Sequence, residues 1–297
     1  MKKTLAMMTA AVMVAGALAG CGSSSSTPAA TTAAATEAAT TAAATEAATT
    51  EAAGDTAAAA EGTVKTPSGK FTVGFDQEFP PMGFVGDDGQ FTGFDLELAK
   101  EVASRLGLEF VPQPINWDAK DMELDSGNID CIWNGFTMQG REDDYTWVGP
   151  YMANNQVFVV TADSDIASKA DLAGKAVEVQ KDSSGLAALQ GEAELSASFG
   201  SMTEVADYNT ALMDLESGAC DAVCMDSIVA GYQIKSSGKD MKILDDTLSA
   251  EEYGIGFKKG EDELAKAVHD TLMDMKDDGT VAKISNDWFG SDVFTLK

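Results

Sequence analysis

Two segments of the chain resemble each other, and each is followed by a side chain of opposite charge. Residues 122–133 read MELDSGNIDCIW, and residues 213–224 read MDLESGACDAVC. The first segment leads to Arg141 and the second to Asp226. A guanidinium group binds a carboxylate, and a carboxylate binds an ammonium group. A site that joined the two side chains would therefore fit the charges of a free α-amino acid.

The two segments share a pattern that predicts how these side chains are positioned. Each indicates an amphipathic helix, a glycine just beyond its C-terminus, and a buried strand that opens with aspartate. Ligands of open α/β sheets collect beyond the carboxyl ends of the strands, where Arg141 and Asp226 stand. The segments begin at residues 122 and 213, a spacing that favours two lobes of like topology over a solenoid. Chance similarity of two helix–glycine–strand units is the alternative.

Strand and helix signals alternate along the rest of the chain. Residues 71–75 alternate as a strand, an Asp-Gly pair at residues 88–89 favours a hairpin turn, and Asp95 resembles a helix cap. Apolar residues then recur along one helical stripe until Gly107, and residues 108–111 return as a strand. This repeated β-α-β order predicts an α/β protein with mainly parallel sheets flanked by helices.

Composition argues against several classes of function. The 297 residues carry 48 acidic and 20 basic side chains, for a formal net charge of −28. A field of that sign repels phosphate backbones, which argues against nucleic-acid binding. The single histidine, His269, excludes a metal site built from several histidines, and no cofactor or metal is predicted. Cys131, Cys220 and Cys224 are expected to be buried free thiols.

The N-terminal part of the chain carries targeting signals. Residues 1–20 have a basic start and an apolar middle, as in a secretory signal peptide. Residues 18–21, LAGC, resemble the lipobox of bacterial lipoproteins, which implies cleavage before Cys21 and lipid attached to it. Residues 21–66 are rich in Ala, Thr, Ser and Glu and predict a disordered linker. A plain signal peptide with an incidental cysteine is the alternative.

Short motifs follow one another in a specific order through the remaining sequence. They are Gly93-Phe94-Asp95-Leu96, Gly127 with Ile129-Asp130, Gly174-Lys175, Asp226-Ser227, Tyr253-Gly254-Ile255-Gly256 and Trp288-Phe289-Gly290. In order and spacing they resemble the bacterial extracellular solute-binding proteins of family 3, the amino-acid receptors of ABC importers. The resemblance implies a two-lobed, periplasmic-binding-protein-like α/β fold of type II, with two mainly parallel-containing sheets joined by a two-strand hinge. Lobe 1 would comprise residues 67–157 and 255–297, and lobe 2 residues 158–254.

The same resemblance implies a ligand pocket between the lobes. Thr137 and Arg141 would bind the α-carboxylate of an amino acid from lobe 1. Ser183 and Ser184 would add hydroxyl and backbone donors from lobe 2, at the start of a predicted helix. Asp226 would bind the α-ammonium group. The alternatives are that Arg141 pairs with a neighbouring carboxylate and that Asp226 only caps a helix.

Aromatic and acidic residues complete the implied pocket. Phe79 and Trp117 would form walls around the ligand's side chain, and Asp76 would lie near it. Because Asp76 and Glu78 add negative potential there, a polar neutral or basic side chain is favoured over an acidic one. Trp133 alternates with other buried positions of its strand and is assigned to the core.

Two positions depart from the family's usual pattern. The segment between Thr137 and Arg141 is one residue shorter than usual, which leaves the backbone donors of that turn open. Asp182 stands where a glycine is common, which leaves the geometry of the loop before Ser183 open.

The sequence therefore predicts a receptor rather than an enzyme. It would capture a free amino acid by hinge closure and deliver it to an ABC permease driven by a cytoplasmic ATPase. The protein would be a monomer outside the cell membrane, anchored through lipid on Cys21. The alternatives are a dehydratase-like enzyme on the same scaffold and a surface amino-acid sensor.

Overall fold

The structure, a computed structural model, describes residue 66 and residues 68–297. The predicted signal peptide at residues 1–20, the predicted lipidation site Cys21 and the predicted linker as far as residue 65 lie outside the described residues. Within the described part, no helix combines the length and the apolar character that crossing a membrane requires.

Strands and helices alternate through the described residues. The twelve strands found there are β1 (Lys70–Phe75), β2 (Glu78–Phe79), β3 (Gly83–Val85), β4 (Phe91–Thr92), β5 (Glu109–Pro114), β6 (Cys131–Thr137), β7 (Tyr145–Thr161), β8 (Ala176–Gln180), β9 (Ser201–Val205), β10 (Ala222–Asp226), β11 (Met241–Ile243) and β12 (Ser249–Lys258). The eight α-helices in the same residues are α1 (Phe94–Leu106), α2 (Lys120–Ser126), α3 (Ser184–Gly191), α4 (Ala193–Ser198), α5 (Tyr208–Ser217), α6 (Ser227–Ser237), α7 (Asp262–Asp277) and α8 (Thr280–Phe289).

The large sheet joins two parallel groups of strands. Its order is β5-β1-β6-β12-β7-β10-β8-β9, with β11 beside β7. Strands β5, β1 and β6 form the first parallel group, and β10, β8 and β9 form the second. The long strands β7 and β12 lie between the groups and pair antiparallel with each other and with the adjacent strand of each group. The predicted α/β fold is confirmed, and its two parallel parts are continuous through β7 and β12.

A separate small sheet holds an aromatic side chain near the large one. Strands β2, β3 and β4 pair antiparallel. The turn after β3 is closed by Gly86 N donating to Gln90 O at 2.8 Å and by Gly89 N donating to Gly86 O at 2.9 Å. The predicted hairpin turn is therefore confirmed. Phe79, the last residue of β2, stacks on Tyr208 of α5 with ring centroids 5.7 Å apart.

The two repeated segments form the same structural unit. In the first, α2 ends before Gly127 and leads to β6; in the second, α5 ends before Gly218 and leads to β10. Gly127 and Gly218 have φ angles of 76° and 78°, the left-handed conformation that ends a helix at little cost only for glycine. The predicted helix–glycine–strand units are thus both confirmed, one in each parallel group.

The aspartates that open the two strands also have the same role. The carboxylate of Asp130 accepts a hydrogen bond from Thr72 N of β1 at 2.6 Å. The carboxylate of Asp221 accepts one from Ala176 N of β8 at 2.8 Å. A backbone bond accompanies each of these: Asp130 N donates to Thr72 O, and Asp221 N donates to Ala176 O, both at 2.8 Å. Each aspartate therefore joins its strand to the parallel neighbour before regular pairing begins.

Asp95 has a different role from the predicted one. Helix α1 begins after Gly93, and the side chain of Asp95 does not cap it. Instead the carboxylate is fully buried and accepts hydrogen bonds from Gly135 N at 2.7 Å and from the Tyr151 hydroxyl at 2.8 Å. Burial raises the pKa of Asp95 to about 7, against the lowering effect of these hydrogen bonds. The prediction of a helix cap was wrong because the Asp95 carboxylate accepts from β6, a strand distant in sequence, and not from the start of its own helix.

The core contains the residues expected from strand alternation. Trp133 is fully buried, as predicted. Cys131, Cys220 and Cys224 are buried free thiols, also as predicted. Burial raises the pKa of all three thiols, which keeps them protonated and poorly reactive.

Candidate functional site

The ends of β6 and β10 place the two predicted charge-binding side chains around one space. Thr137 ends β6, Asp226 ends β10, and the turn after β6 carries Arg141. A small cavity, here called the inner cavity, is lined by Phe79, Trp117, Gly135, Thr137, Arg141, Gln180, Ser183, Ser184, Tyr208 and Asp226. Seven of the eight predicted site residues therefore lie together. The eighth, Asp76, lines an adjoining cavity.

Arg141 is held in place without a carboxylate partner. Its guanidinium donates to the carbonyl oxygens of Thr137 at 3.2 Å and Asp182 at 3.3 Å, and lies 5.1 Å from the Phe136 ring centroid. Among the residues that the structure describes, no acidic side chain forms an ion pair with Arg141. The alternative that Arg141 pairs with a neighbouring carboxylate is therefore wrong, and its charge is available to an anion.

The short turn between Thr137 and Arg141 is closed by its own backbone. Arg141 N donates to Met138 O at 3.0 Å, and the Trp147 indole donates to Arg141 O at 3.1 Å. These two bonds fix the turn. Arg141 consequently still faces the inner cavity.

Asp226 is a buried carboxylate that accepts only from neutral donors. Oδ1 accepts from Asn154 Nδ2 at 2.6 Å and from the Tyr253 hydroxyl at 2.7 Å, and Oδ2 accepts from the Tyr208 hydroxyl at 2.9 Å. A carboxylate offers about four acceptor positions, so Oδ2 has one left for a further donor. Asp226 occupies the position before α6, but its side chain makes no capping bond. A cationic donor from the inner cavity would complete its coordination.

The start of α3 contributes hydroxyl groups to the same cavity. Ser183 caps the helix, its Oγ accepting from Leu186 N at 3.1 Å. Ser184 Oγ lies 3.2 Å from Thr137 Oγ1 and accepts from Gln156 Nε2 at 3.1 Å. The N-terminus of α3 therefore brings partial positive charge to the side of the cavity where Arg141 lies.

Two aromatic side chains enclose the cavity. Phe79 is buried against Tyr208, and Trp117 packs edge-on against Phe136 with centroids 5.5 Å apart. Gly135 lies beside Phe79 at φ 56°, and a Cβ there would come within 2.9 Å of Phe79 Cε1. The absence of a side chain at Gly135 is therefore what gives Phe79 its place on the wall.

A larger cavity adjoins the first and is strongly acidic. This acidic cavity has a volume of about 870 Å³ and shares Trp117 with the inner cavity. Its charged lining consists of Asp76, Glu78, Asp118, Glu123, Glu204, Asp207 and a single base, Lys181. Lys181 pairs with Asp118 at 2.6 Å. Burial raises the pKa of Asp76 to about 6, partly offset by bonds from Glu78 N and from Gln180 Nε2 at 2.7 Å.

Charged contacts link the two parallel groups beside these cavities. Lys120, at the start of α2, is buried and pairs with the carboxylate of Asp182 in the loop before α3. Its ammonium group also lies 5.5 Å from the Trp117 ring centroid. Asp182 has a φ of 58°, a conformation that glycine adopts at lower cost. The aspartate thus keeps the loop geometry that a glycine would give and adds an ion pair.

A family model places the chain among known proteins. The model for bacterial extracellular solute-binding proteins, family 3, matches residues 71–291. The chain belongs to this family. Its members are solute-binding proteins, so the chain is a binding protein rather than an enzyme, and the family is extracellular.

Relatives and solved structures of the family agree with this assignment. The L-cystine-binding protein TcyJ of Escherichia coli K12 is 32% identical over 231 residues, which cover 76% of this chain and 84% of TcyJ. TcyA, the L-cystine-binding protein of Bacillus subtilis, is 32% identical over 76% of this chain and 83% of its own length. A crystal structure of an ABC uptake transporter substrate-binding protein from Streptococcus pneumoniae, with bound histidine, aligns with a TM-score of 0.74 at 34% identity. It covers 77% of this chain and 96% of that one.

Several polar residues in and around the inner cavity were not predicted from the sequence. Gln180 and Tyr208 line the inner cavity, and Asn154 and Tyr253 donate to Asp226. Gln180 ends β8 directly before the predicted Ser183 loop, which is a signal that could have identified it. Asn154 and Tyr253 lie on the strands between the parallel groups, and only their pairing brings them to Asp226.

Proposed function

We propose that the chain is the receptor of an amino-acid ABC importer and captures one free amino acid between two lobes. One observation carries this proposal: Arg141 and Asp226, which follow the two copies of the repeated segment, line the same inner cavity. In the proposal, Arg141 binds the α-carboxylate and Asp226 binds the α-ammonium group. An amino acid bound in this way contacts both lobes and stabilises the closed arrangement.

The hydroxyl groups around Arg141 supplement the carboxylate site. Thr137 and Ser184 offer hydroxyl donors, and Ser183 and Ser184 stand at the positive end of α3. Since Thr137 and Ser184 come from different parallel groups, a carboxylate placed between their hydroxyl groups would bridge both.

The proposed lobe boundaries follow from the two parallel groups. Lobe 1 comprises residues 67–157 and 255–297, and lobe 2 comprises residues 158–254. A hydrophobic cluster drawn only from residues between 158 and 248 supports a separate core for lobe 2. Strands β7 and β12 pass between the groups and form the hinge in this proposal.

The ligand's side chain is polar and either neutral or basic in this proposal. It extends between Phe79 and Trp117 toward the acidic cavity, whose six carboxylates repel an acidic side chain. Aromatic walls suit a cation or an amide. Among the relatives, names that refer to arginine and histidine support a basic ligand, and names that refer to L-cystine support a larger one. The volume of the acidic cavity accommodates either.

The membrane arrangement is part of the same proposal. The LAGC sequence at residues 18–21 supports lipid on Cys21, which anchors a monomeric receptor outside the cell membrane. The amino acid passes from the receptor to an ABC permease with a cytoplasmic ATPase.

A thermal-shift panel tests the proposal. The protein is heated with L-arginine, L-histidine, L-glutamine, L-cystine and L-glutamate in turn. A ligand at a hundred times its Kd stabilises by about 2.7 kcal/mol, which raises the Tm by several degrees. We expect a shift with a basic or neutral member of the panel and none with L-glutamate.

A matched pair of arginine variants controls the panel. Arg141→Ala should reduce the ligand-dependent stabilisation to about a third or less, because it removes the cation of the inner cavity. Arg105→Ala should keep that shift, because Arg105 pairs with Glu101 and Asp278 away from the cavity. A folded protein that no amino acid stabilises would contradict the proposed function.

A further inference from the structure

A second buried carboxyl group lies behind the proposed ammonium site. Glu251, on β12, is 5% exposed, and its Oε1 accepts a hydrogen bond from Asn154 Nδ2 at 2.6 Å. The same Nδ2 atom donates to Asp226 Oδ1 at 2.6 Å. An amide group has two hydrogens, so Asn154 can donate one to each carboxyl. Asn154 and Glu251 face each other in the pairing of β7 with β12, which fixes this arrangement.

The hydrogen bonds of Glu251 continue toward the proposed carboxylate site. Gln156 Nε2 donates to Glu251 Oε1 at 2.9 Å and to Ser184 Oγ at 3.1 Å. Ser184 in turn contacts Thr137 at 3.2 Å. Glu251 is therefore linked through neutral amides both to Asp226 and to the hydroxyl groups of the inner cavity.

Among the residues that the structure describes, no basic side chain forms an ion pair with Glu251 or with Asp226. The titratable groups that act on it or respond to its charge are Asp226 and Cys224 of β10, Tyr208 of α5 and Tyr253 of β12. None of these groups can carry a positive charge. Burial, followed by the charge of Asp226, raises the pKa of Glu251 to about 8. Two buried carboxyl groups of this kind resist being ionised together unless a cation pairs with them.

We propose that Asp226 and Glu251 share one proton before an amino acid binds, and that the ligand's ammonium group displaces this proton into solvent. The proposal rests on the proposed function, since it takes Asp226 as the ammonium site. The step is a simple exchange: one carboxyl becomes a carboxylate, one proton leaves to water, and the ligand's positive charge takes its place. No covalent bond to the ligand forms.

The exchange makes affinity depend on pH in a definite direction. A bound ammonium group favours the ionised carboxyl and so lowers its pKa in the complex. Between the lowered and the original pKa, binding releases a proton, and affinity rises with pH by up to about tenfold per pH unit. We therefore expect tighter capture at pH 8 than at pH 6, within the range in which the ligand's own amino group stays protonated.

Infrared spectroscopy of the ligand-free protein tests the shared proton directly. A protonated carboxyl has a carbonyl stretching band distinct from the bands of a carboxylate. At neutral pH, wild type minus Glu251→Gln should show this band, whereas wild type minus Glu252→Gln should not. Glu252 is the next residue on the same strand and is exposed, which makes it a matched control. Absence of the band from the difference between wild type and Glu251→Gln would overturn the proposal.

Calorimetry in two buffers of different ionisation enthalpy tests the release of the proton. L-glutamine is the main probe, because its neutral side chain leaves Asp76 and the acidic cavity unaffected, and L-arginine is the second. Wild type and Glu252→Gln should release up to one proton on binding and gain affinity as the pH rises from 6 to 8. Glu251→Gln should bind with no such release and a flat pH profile.

Calorimetry and the thermal-shift panel together separate this inference from the proposed function. Binding of L-glutamine or L-arginine without proton release, or with equal release in Glu251→Gln, would overturn the inference and leave the receptor function standing. No binding of any amino acid in the thermal-shift panel would overturn the receptor function, and with it the displacement by an ammonium group. The infrared band would then still decide whether the two carboxyls share a proton.

Discussion

The two copies of the repeated segment have the same order of structural elements and opposite chemistry. Both consist of a helix, a left-handed glycine, an aspartate that binds the neighbouring strand, and a buried strand. They differ where the strands end. Gly135 of the first copy corresponds to Asp226 of the second, and only the first copy leads to an arginine. The shared residues build the frame, and the residues that differ decide which charge each half offers to a ligand.

The largest expected effect comes from removing the charge of one copy at a time. Arg141→Ala should weaken binding of L-arginine by about 2–5 kcal/mol, roughly 30-fold to several thousand-fold, because the carboxylate loses its proposed charged partner in the closed complex. Asp226→Asn should have an effect of similar size, through the ammonium group. Isothermal titration calorimetry measures both.

Ligands that lack one charged group sharpen this test. Agmatine has no α-carboxylate, so Arg141→Ala should change its affinity by no more than about threefold. Arginine without its α-amino group should be equally insensitive to Asp226→Asn. If Arg141→Ala weakened agmatine as strongly as L-arginine, Arg141 would act on the fold and not on the carboxylate.

The first copy also contacts a buried carboxyl group, that of Asp95. Asp95 accepts from Gly135 N, and its pKa of about 7 lies above its ordinary value of 3.8. The folded protein therefore binds an extra proton between these values, and the free energy of unfolding should fall as the pH rises through that window. Asp95→Asn should remove up to about 1.4 kcal/mol per pH unit from this slope.

Urea unfolding at a series of pH values checks this expectation. Glu97→Gln, which neutralises an exposed carboxyl of the same helix, should leave the slope unchanged. A slope in Asp95→Asn equal to that of wild type would show that Asp95 does not take up a proton on folding.

The sequence predicted the repeated frame because its signals are local. A glycine after an apolar helix, an Asp-Gly pair in a turn and alternation within a strand depend only on near neighbours. Asp95 misled the prediction for the same reason: an acidic residue at a helix start resembles a cap, whereas its partner Gly135 lies 40 residues away.

The polar network around Glu251 could not be predicted in the same way. Polar residues in a strand ordinarily indicate a solvent-facing side. Asn154, Gln156 and Glu251 become buried only because β7 pairs with β12, and Asn154 reaches Glu251 across 97 residues of sequence. Pairings of that separation follow from the whole fold rather than from any local pattern.

A smaller effect is expected where the first copy contacts the second parallel group. Lys120 of α2 pairs with Asp182, whereas the corresponding position of the second copy is the buried Ala211. Lys120→Met keeps the packing on Trp117 but removes the ion pair. We expect it to weaken ligand binding about threefold to tenfold, mainly through faster dissociation, because the closed arrangement loses a contact.

Stopped-flow dissociation of the bound amino acid measures this change. Lys266→Met is the control, since its pair with Asp270 lies within α7, away from both cavities, and is exposed and screened by solvent. An equal acceleration in both variants would mean that the buried position of Lys120 adds nothing to closure.

The last comparison concerns the aspartate hydrogen bond that the two copies share. Asp130→Ala and Asp221→Ala each leave a backbone N–H of the neighbouring strand without its acceptor. Asp130 is half-buried and Asp221 exposed, so water can replace the acceptor more readily at Ala176 than at Thr72. We expect urea unfolding to give losses of about 1–2 kcal/mol for Asp130→Ala and about 0.5–1 kcal/mol for Asp221→Ala. Asparagine at either position should restore most of the loss, since its side-chain oxygen still accepts. A larger loss at Asp221 would mean that burial does not set the strength of this shared bond.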